Sequence, residues 1–130
     1  MIAVDTGPRV ALFDNSDDEH PSCVETFKAI REPLITTWPV ITEALHLLGF
    51  STSVQADLWE FMERGTVALH ELDRPFVKTC RALMKKYQDL PMDLADASLV
   101  AMAEAGNIRT IFTLDKNFTV YRTRQKKPFR

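Results

Sequence analysis

Ile2-Ala3-Val4-Asp5 near the start of the chain and Ile111-Phe112-Thr113-Leu114-Asp115 toward its end are short apolar runs, and each closes on an aspartate. Both have the length of a strand, as do Leu34–Thr37 and Val67–Leu69 between them, and the last run extends over Thr110–Leu114. Helix-length patterns fill the intervals: Pro8–Phe13, Pro21–Ile30, Pro39–Leu48, Ser53–Glu63, Pro75–Tyr87 and Leu94–Ala105. Proline suits the first helical turn, and Gly49 and Gly106 stand where a helix would just have ended. Strands alternating with single helices or helix pairs predict an α/β domain with a parallel sheet covered on both faces. Ligands of such sheets sit outside the carboxyl ends of the strands. If the first and last strands are both central, Asp5 and Asp115 share that edge.

At 130 residues the chain has the size of a single domain, since domains run to roughly 100–200 residues. A domain of this size buries about two-thirds of its unfolded surface and needs no disulfide or structural metal to fold. Its 45% hydrophobic and 26% charged residues exclude a disordered or fibrous chain. No run approaches the ~18 apolar residues of a membrane span, and Met1–Asp5 has neither a basic nor a long apolar leader segment. A cytoplasmic protein without membrane association is expected. Cys23 and Cys80 have no CxxC or histidine spacing and read as reduced core thiols.

The formal net charge of −2 conceals an asymmetry. Lys116, Arg122, Arg124, Lys126, Lys127 and Arg130 give the tail +6 with no acid, which leaves −8 on everything before it. An acidic body with a basic tail is the pattern of a protein that handles a polyanion; the plainer reading is a solvated, self-repelling terminus.

Each acid has a structural explanation to set against a chemical one. Asp5 and Asp115 could cap helices that begin after them. On the helix Pro39–Leu48, at about 100° per residue, Leu47, Val40, Ala44, Leu48, Ile41 and Leu45 fill one apolar arc. Glu43 borders that arc, while Thr42 and His46 fall on the solvent side. The Glu43 stem could equally snorkel to water. Asp96 lies in a helix that is apolar almost all round, Leu94–Ala103, where an ionised carboxylate costs several kcal/mol unless paired, hydrogen-bonded or bound to metal. The competing reading has Asp93 capping that helix and Asp96 satisfied in its first turn. Four acids, three of them aimed at one sheet edge or buried face, are hard to satisfy with caps alone, and they point to oxygen ligation of divalent cations. The acidic stretch Asp14–Glu19, by contrast, precedes a helix and reads as caps and solvated loop.

Val4-Asp5-Thr6-Gly7-Pro8, Thr42-Glu43-Ala44, Asp93-Leu94-Ala95-Asp96-Ala97-Ser98-Leu99 and Thr113-Leu114-Asp115-Lys116-Asn117-Phe118 resemble, in order and spacing, the four acidic motifs of the PIN domain. The length is similar to that of the small VapC-type toxins. The resemblance implies a three-layer α/β/α sandwich and a metal-dependent endoribonuclease, often paired with a small antitoxin protein, with a homodimer as the expected assembly. It also implies that Asp5, Glu43, Asp96 and Asp115 form the acidic site. Within it Asp5, Asp96 and Asp115 would hold Mg²⁺ or Mn²⁺, and Thr6, Asp93, Thr113 and Asn117 would support them. A family member would end with a last sheet strand, for which only Lys126–Arg130 remains.

Metal-assisted phosphodiester hydrolysis needs a nucleophilic water, charge neutralisation and a stabilised leaving oxygen, which one or two divalent cations supply. Arg122, Arg124, Lys126 and Lys127 would bring RNA toward a pocket that otherwise repels it. A nuclease that processes RNA without acting as a toxin is one alternative. A non-catalytic PIN-like binding module is another. A phospho-receiver domain fits poorly, because Asp5 is followed by Thr-Gly-Pro and the third strand runs into His70-Glu71-Leu72. His20, His46 and His70 lie outside the motifs, which argues against a paired-histidine ribonuclease.

Overall fold

The computed structural model describes Met1–Leu114. Asp115, Asn117, Arg122, Arg124, Lys126 and Lys127, together with the expected last strand, lie outside the described residues.

The chain runs through β1 (Ile2–Val4), α1 (Thr6–Phe13), α2 (His20–Ala29), β2 (Leu34–Thr37), α3 (Trp38–Leu47), α4 (Thr52–Glu63), β3 (Val67–His70), α5 (Arg74–Lys86), α6 (Leu94–Gly106) and β4 (Thr110–Phe112). All strand pairs are parallel, in the order β3-β2-β1-β4. The alternation of side chains along β1 builds two cores. Ile2 and Val4 join Leu34 and Val67 on one face, against Phe27 of α2 and Phe61 of α4. Ala3 faces the other way, into a cluster with Cys80 and Leu83 of α5 and the buried residues of α6. Helices therefore cover both faces, giving the expected α/β/α layering. A third cluster, Ala44, Leu48 and Leu58 with Val10 and Phe13, joins α1, α3 and α4. Cys23 and Cys80 are free and buried, as expected for core thiols.

Several boundaries differ from the sequence reading. β4 stops at Phe112, two residues early, because its partner β1 ends at Val4, where Asp5 turns the chain into α1. β3 gains His70, which pairs with Thr37. Gly106 stays inside α6, and Asn107 takes the left-handed position at φ 53 that glycine was expected to fill. Gly65, at φ 73 just beyond α4, is the glycine that does use left-handed freedom. Leu47 was placed in the apolar arc of α3 but is 51% exposed: the helix packs through Val40, Ile41, Ala44 and Leu48 instead. No helix of the described residues is long and apolar enough to cross a membrane.

Candidate active site

β1 is the strand at which the winding of the sheet reverses. The chain moves from β1 outward to β2 and β3, then returns through α5 and α6 to place β4 on the other flank of β1. A crevice opens outside the carboxyl ends of two strands whose connections leave in opposite directions, and that is where ligands of open α/β sheets bind. Asp5 stands there, only 5% exposed. One carboxylate oxygen accepts from the backbone N–H of Thr6 at 2.7 Å, and the other accepts from the Thr113 hydroxyl at 2.7 Å. The Thr113 bond ties the end of β1 to the segment that leaves β4. Gly7 permits the same approach, since a Cβ there would lie 3.3 Å from Leu114 Cβ.

Asp5 is thus a helix cap, as its structural explanation required, and is at the same time the carboxylate at the switch point. The same holds at the start of α6. Asp93 accepts from the Asp96 N–H at 2.8 Å, and the Asp96 carboxylate accepts from the Asp93 N–H at 3.4 Å, which closes a capping box. Asp96 is half-buried in the first turn rather than enclosed, because the unbroken buried stretch of the helix begins at Ala97. Free N–H groups and the positive helix end at α1 and α6 stabilise the acids they face.

Glu43 brings the two halves together. It sits half-buried on α3, which packs against both α1 and α6. Its carboxyl is lifted from the ordinary 4.5 to about 7, first by desolvation, then by hydrogen bonding and charge repulsion from Asp93, with a smaller push from Asp5; the Thr6 hydroxyl pulls the other way. Thr6 Oγ1 itself is buried without a well-aligned hydrogen-bond partner among the described residues. Asp5, Thr6, Glu43, Asp93 and Thr113 therefore share one electrostatic neighbourhood, with Asp96 tied to it through the capping box. Asp14 and Asp17 take the plain role expected of them, capping Ser16 and Glu19 N–H groups in a surface turn.

Beside the acids lies an open cavity of about 580 Å³, with Trp38, Pro39, Glu43, His46, Asp93 and Leu94 in its wall. Trp38 is 47% exposed, and its ring lies 6.4 Å from that of Trp59. The sequence reading passed over Trp38, which follows a strand and precedes a proline and so carries no periodic signal. It also missed the bracket beneath the site. Thr37 and Ser98, both fully buried, share a 2.6 Å hydroxyl hydrogen bond, and Ser98 donates to the Ala95 carbonyl at 2.8 Å. This polar link fixes the end of β2 against the first turn of α6.

The PIN domain family model matches residues 2–123. The chain belongs to the PIN domain family. Ribonuclease VapC26 of Mycobacterium tuberculosis is 27% identical over 125 residues, a match covering 88% of this chain and 87% of that protein. The crystal structure of VapC20 from the same organism, described as a sarcin–ricin loop cleaving toxin, superposes with a TM-score of 0.85. That superposition covers 92% of this chain and 94% of VapC20 at 16% identity, so it speaks for the shared PIN fold alone.

The donor set fits a hard divalent cation. All the candidate donors are oxygens, and the buried Thr6 hydroxyl among them has no well-aligned hydrogen-bond partner among the described residues. Among the described residues no three His, Cys, Asp or Glu side chains make a preformed cage. An open site of this kind suits Mg²⁺, which keeps several waters and uses one or two carboxylates with substrate phosphate rather than an all-protein cage.

Proposed function

We propose that the chain is a Mg²⁺- or Mn²⁺-dependent endoribonuclease, the toxin of a toxin–antitoxin pair. The observation that carries the reading is that Asp5, buried at the switch point, and Asp93, at the start of α6, both act on Glu43 of α3, whose carboxyl burial first and then these two acids lift to about 7. The kinship with a protein named ribonuclease VapC26 and the fold shared with a toxin that cleaves the sarcin–ricin loop support it.

In this reading Asp5 and Asp96 hold the cation, and Asp115 completes the set. The bound cation would supply water activation and neutralise charge at the scissile phosphate. Thr113 and Thr6 keep Asp5 in one orientation, each on its own oxygen. Glu43, with its proton held near neutrality, can accept a proton from water or hold a water in place. Asp93 anchors the start of α6 and tunes Glu43; Asn117 is assigned a supporting role at the same edge. The apolar wall of the neighbouring cavity, with the exposed Trp38 ring, suits a base next to the scissile phosphate.

A small antitoxin protein and a cytoplasmic location belong to the same proposal. So does a homodimer, since Leu47, Phe50 and Trp59 leave apolar surface exposed around α3 and α4; the mass of the purified chain in solution checks it. The central test is cleavage of RNA by purified protein with Mg²⁺ or Mn²⁺ and with a chelator. Cleavage should require the metal and fall at least about a hundredfold in Asp5→Asn with the fold retained. Equal cleavage in chelator, or full activity of Asp5→Asn, would remove the proposal.

A further inference from the structure

Positive charge among the described residues is concentrated on α5. Arg74, Lys78, Arg81, Lys85 and Lys86 fall within its 13 residues, with no acid between them. It thus holds half of the Lys and Arg residues that precede the tail, although its segment is a small part of the acidic body. Arg74, Lys78, Arg81 and Lys85 lie within about 60° of one another around the helix, roughly one cation per turn along about 16 Å. All four are exposed, and none forms a salt bridge among the described residues. Lys86 stands apart from the stripe, its Nζ 5.2 Å from the centre of the Tyr87 ring.

The opposite face of α5 is anchored. Cys80 and Leu83 are buried in the core shared with α6, and Phe76 packs against it. A basic amphipathic helix that lies on a lipid surface needs its apolar face for the membrane; here Phe76, Cys80 and Leu83 are taken up by the core, and only Val77 and Met84 of the large apolar residues of α5 are exposed beside it. What remains is a rigid line of cations suited to a polymer with regularly repeated negative charge. The connections of α5 locate it: it begins after the loop 71–73 that leaves the carboxyl end of β3, and the turn 87–92 that follows it leads into Asp93. Its start thus leaves the edge that carries the strand carboxyl ends, and the segment after it runs into the acidic start of α6.

We propose that the Arg74, Lys78, Arg81 and Lys85 stripe of α5 is a track for the phosphate backbone of the RNA that reaches the acidic edge. The proposal rests on the ribonuclease reading for what happens to that RNA, but not for its binding. Cations at the edge of a negatively charged site raise the encounter rate with a polyanion and hold the strand in register without reading its sequence.

The test uses the full chain with Asp5→Asn to prevent cleavage, and a short single-stranded RNA labelled for fluorescence anisotropy across a salt series. Replacing Arg74, Lys78, Arg81 and Lys85 together by Gln should weaken binding at least about tenfold at low salt. It should also flatten the dependence of log Kd on log salt by about 3, at roughly 0.7 per lost phosphate contact. The single Lys78→Glu variant should show the same direction, and circular dichroism checks that both variants remain folded. With Asp5 restored, the fourfold variant should raise KM on long RNA and leave kcat and the metal requirement unchanged. An unchanged salt slope would overturn the track, as would binding to phosphatidylserine vesicles that depends on these four residues while RNA binding does not. If the wild-type chain binds RNA through α5 yet cuts none with metal, the ribonuclease reading falls and the track stands.

Discussion

Replacing Glu43 by Gln should stabilise the metal-free protein in mildly alkaline buffer while removing its activity. The folded state holds the Glu43 proton more tightly than the unfolded chain, since the carboxyl is lifted from 4.5 to about 7. An acid shifted upward costs nothing below its unfolded pKa. The penalty grows between 4.5 and 7 and is fully present above 7. Taken at face value the shift corresponds to about 3 kcal/mol. Glu43 is only half-buried, and water screens such an interaction, so about 1 kcal/mol is the expected gain. In a protein of this size that raises Tm by about 3–5 °C. Thermal unfolding of Glu43→Gln and wild type, at pH 8 and pH 5 with chelator, measures it. The advantage should be present at pH 8, shrink at pH 5, and shrink at pH 8 when Mg²⁺ is added. An equal difference at both pH values would refute the argument, because the effect would then come from packing rather than from a crowded charge.

Three further outcomes are expected. Arg9 is 1% exposed; among the described residues its Nη1 donates to Met62 Sδ at 3.0 Å while Nε and Nη2 have no partner, and burial pushes its pKa down to about 10. Arg9→Leu should therefore stabilise the fold by about 1–3 kcal/mol, the range for relieving a buried unsatisfied group; a loss of stability in denaturant titration would show that the guanidinium has a role in the fold. Ser98→Ala should cost about 1–2 kcal/mol, since it leaves the buried Thr37 hydroxyl unpaired, and a neutral result in the same titration would show that the bracket bears no strain. Trp38→Ala should raise KM for RNA several-fold with kcat nearly unchanged, whereas Trp38→Phe should keep most of the affinity, because stacking on a base is worth about 1–3 kcal/mol; equal behaviour of the two variants in steady-state kinetics would exclude stacking.

Much of this protein was legible along the chain because it is written in local chemistry. Four short apolar runs separated by helix-length patterns determine a parallel α/β sheet. Asp5, which closes the first of those runs, has no choice but to emerge at a strand end. The Asp93-x-x-Asp96 spacing places both acids in one turn, and the reciprocal capping box follows from that spacing alone.

Only the tertiary structure decided how these pieces meet. Strand order is a matter of which pairs form across long stretches of sequence, and β1 becomes the switch point only when β4 returns to its free flank. The ionisation of Glu43 depends first on burial and then on Asp93 at the start of α6 and on Asp5 and Thr6 at the start of α1. Periodicity assigned Leu47 to the core, yet a helix face is buried only where a neighbour covers it, and here Val40, Ile41, Ala44 and Leu48 make the contact. Arg9 reads as a surface charge in isolation, but its place on α1 inside the layer beneath β1 encloses it. Charge sums hid α5 in an acidic body, because a net charge adds residues without regard to where they stand. Local patterns determine elements and their ends; burial, pairing and pKa are properties of the neighbours, and the neighbours are chosen by the packing of the whole chain.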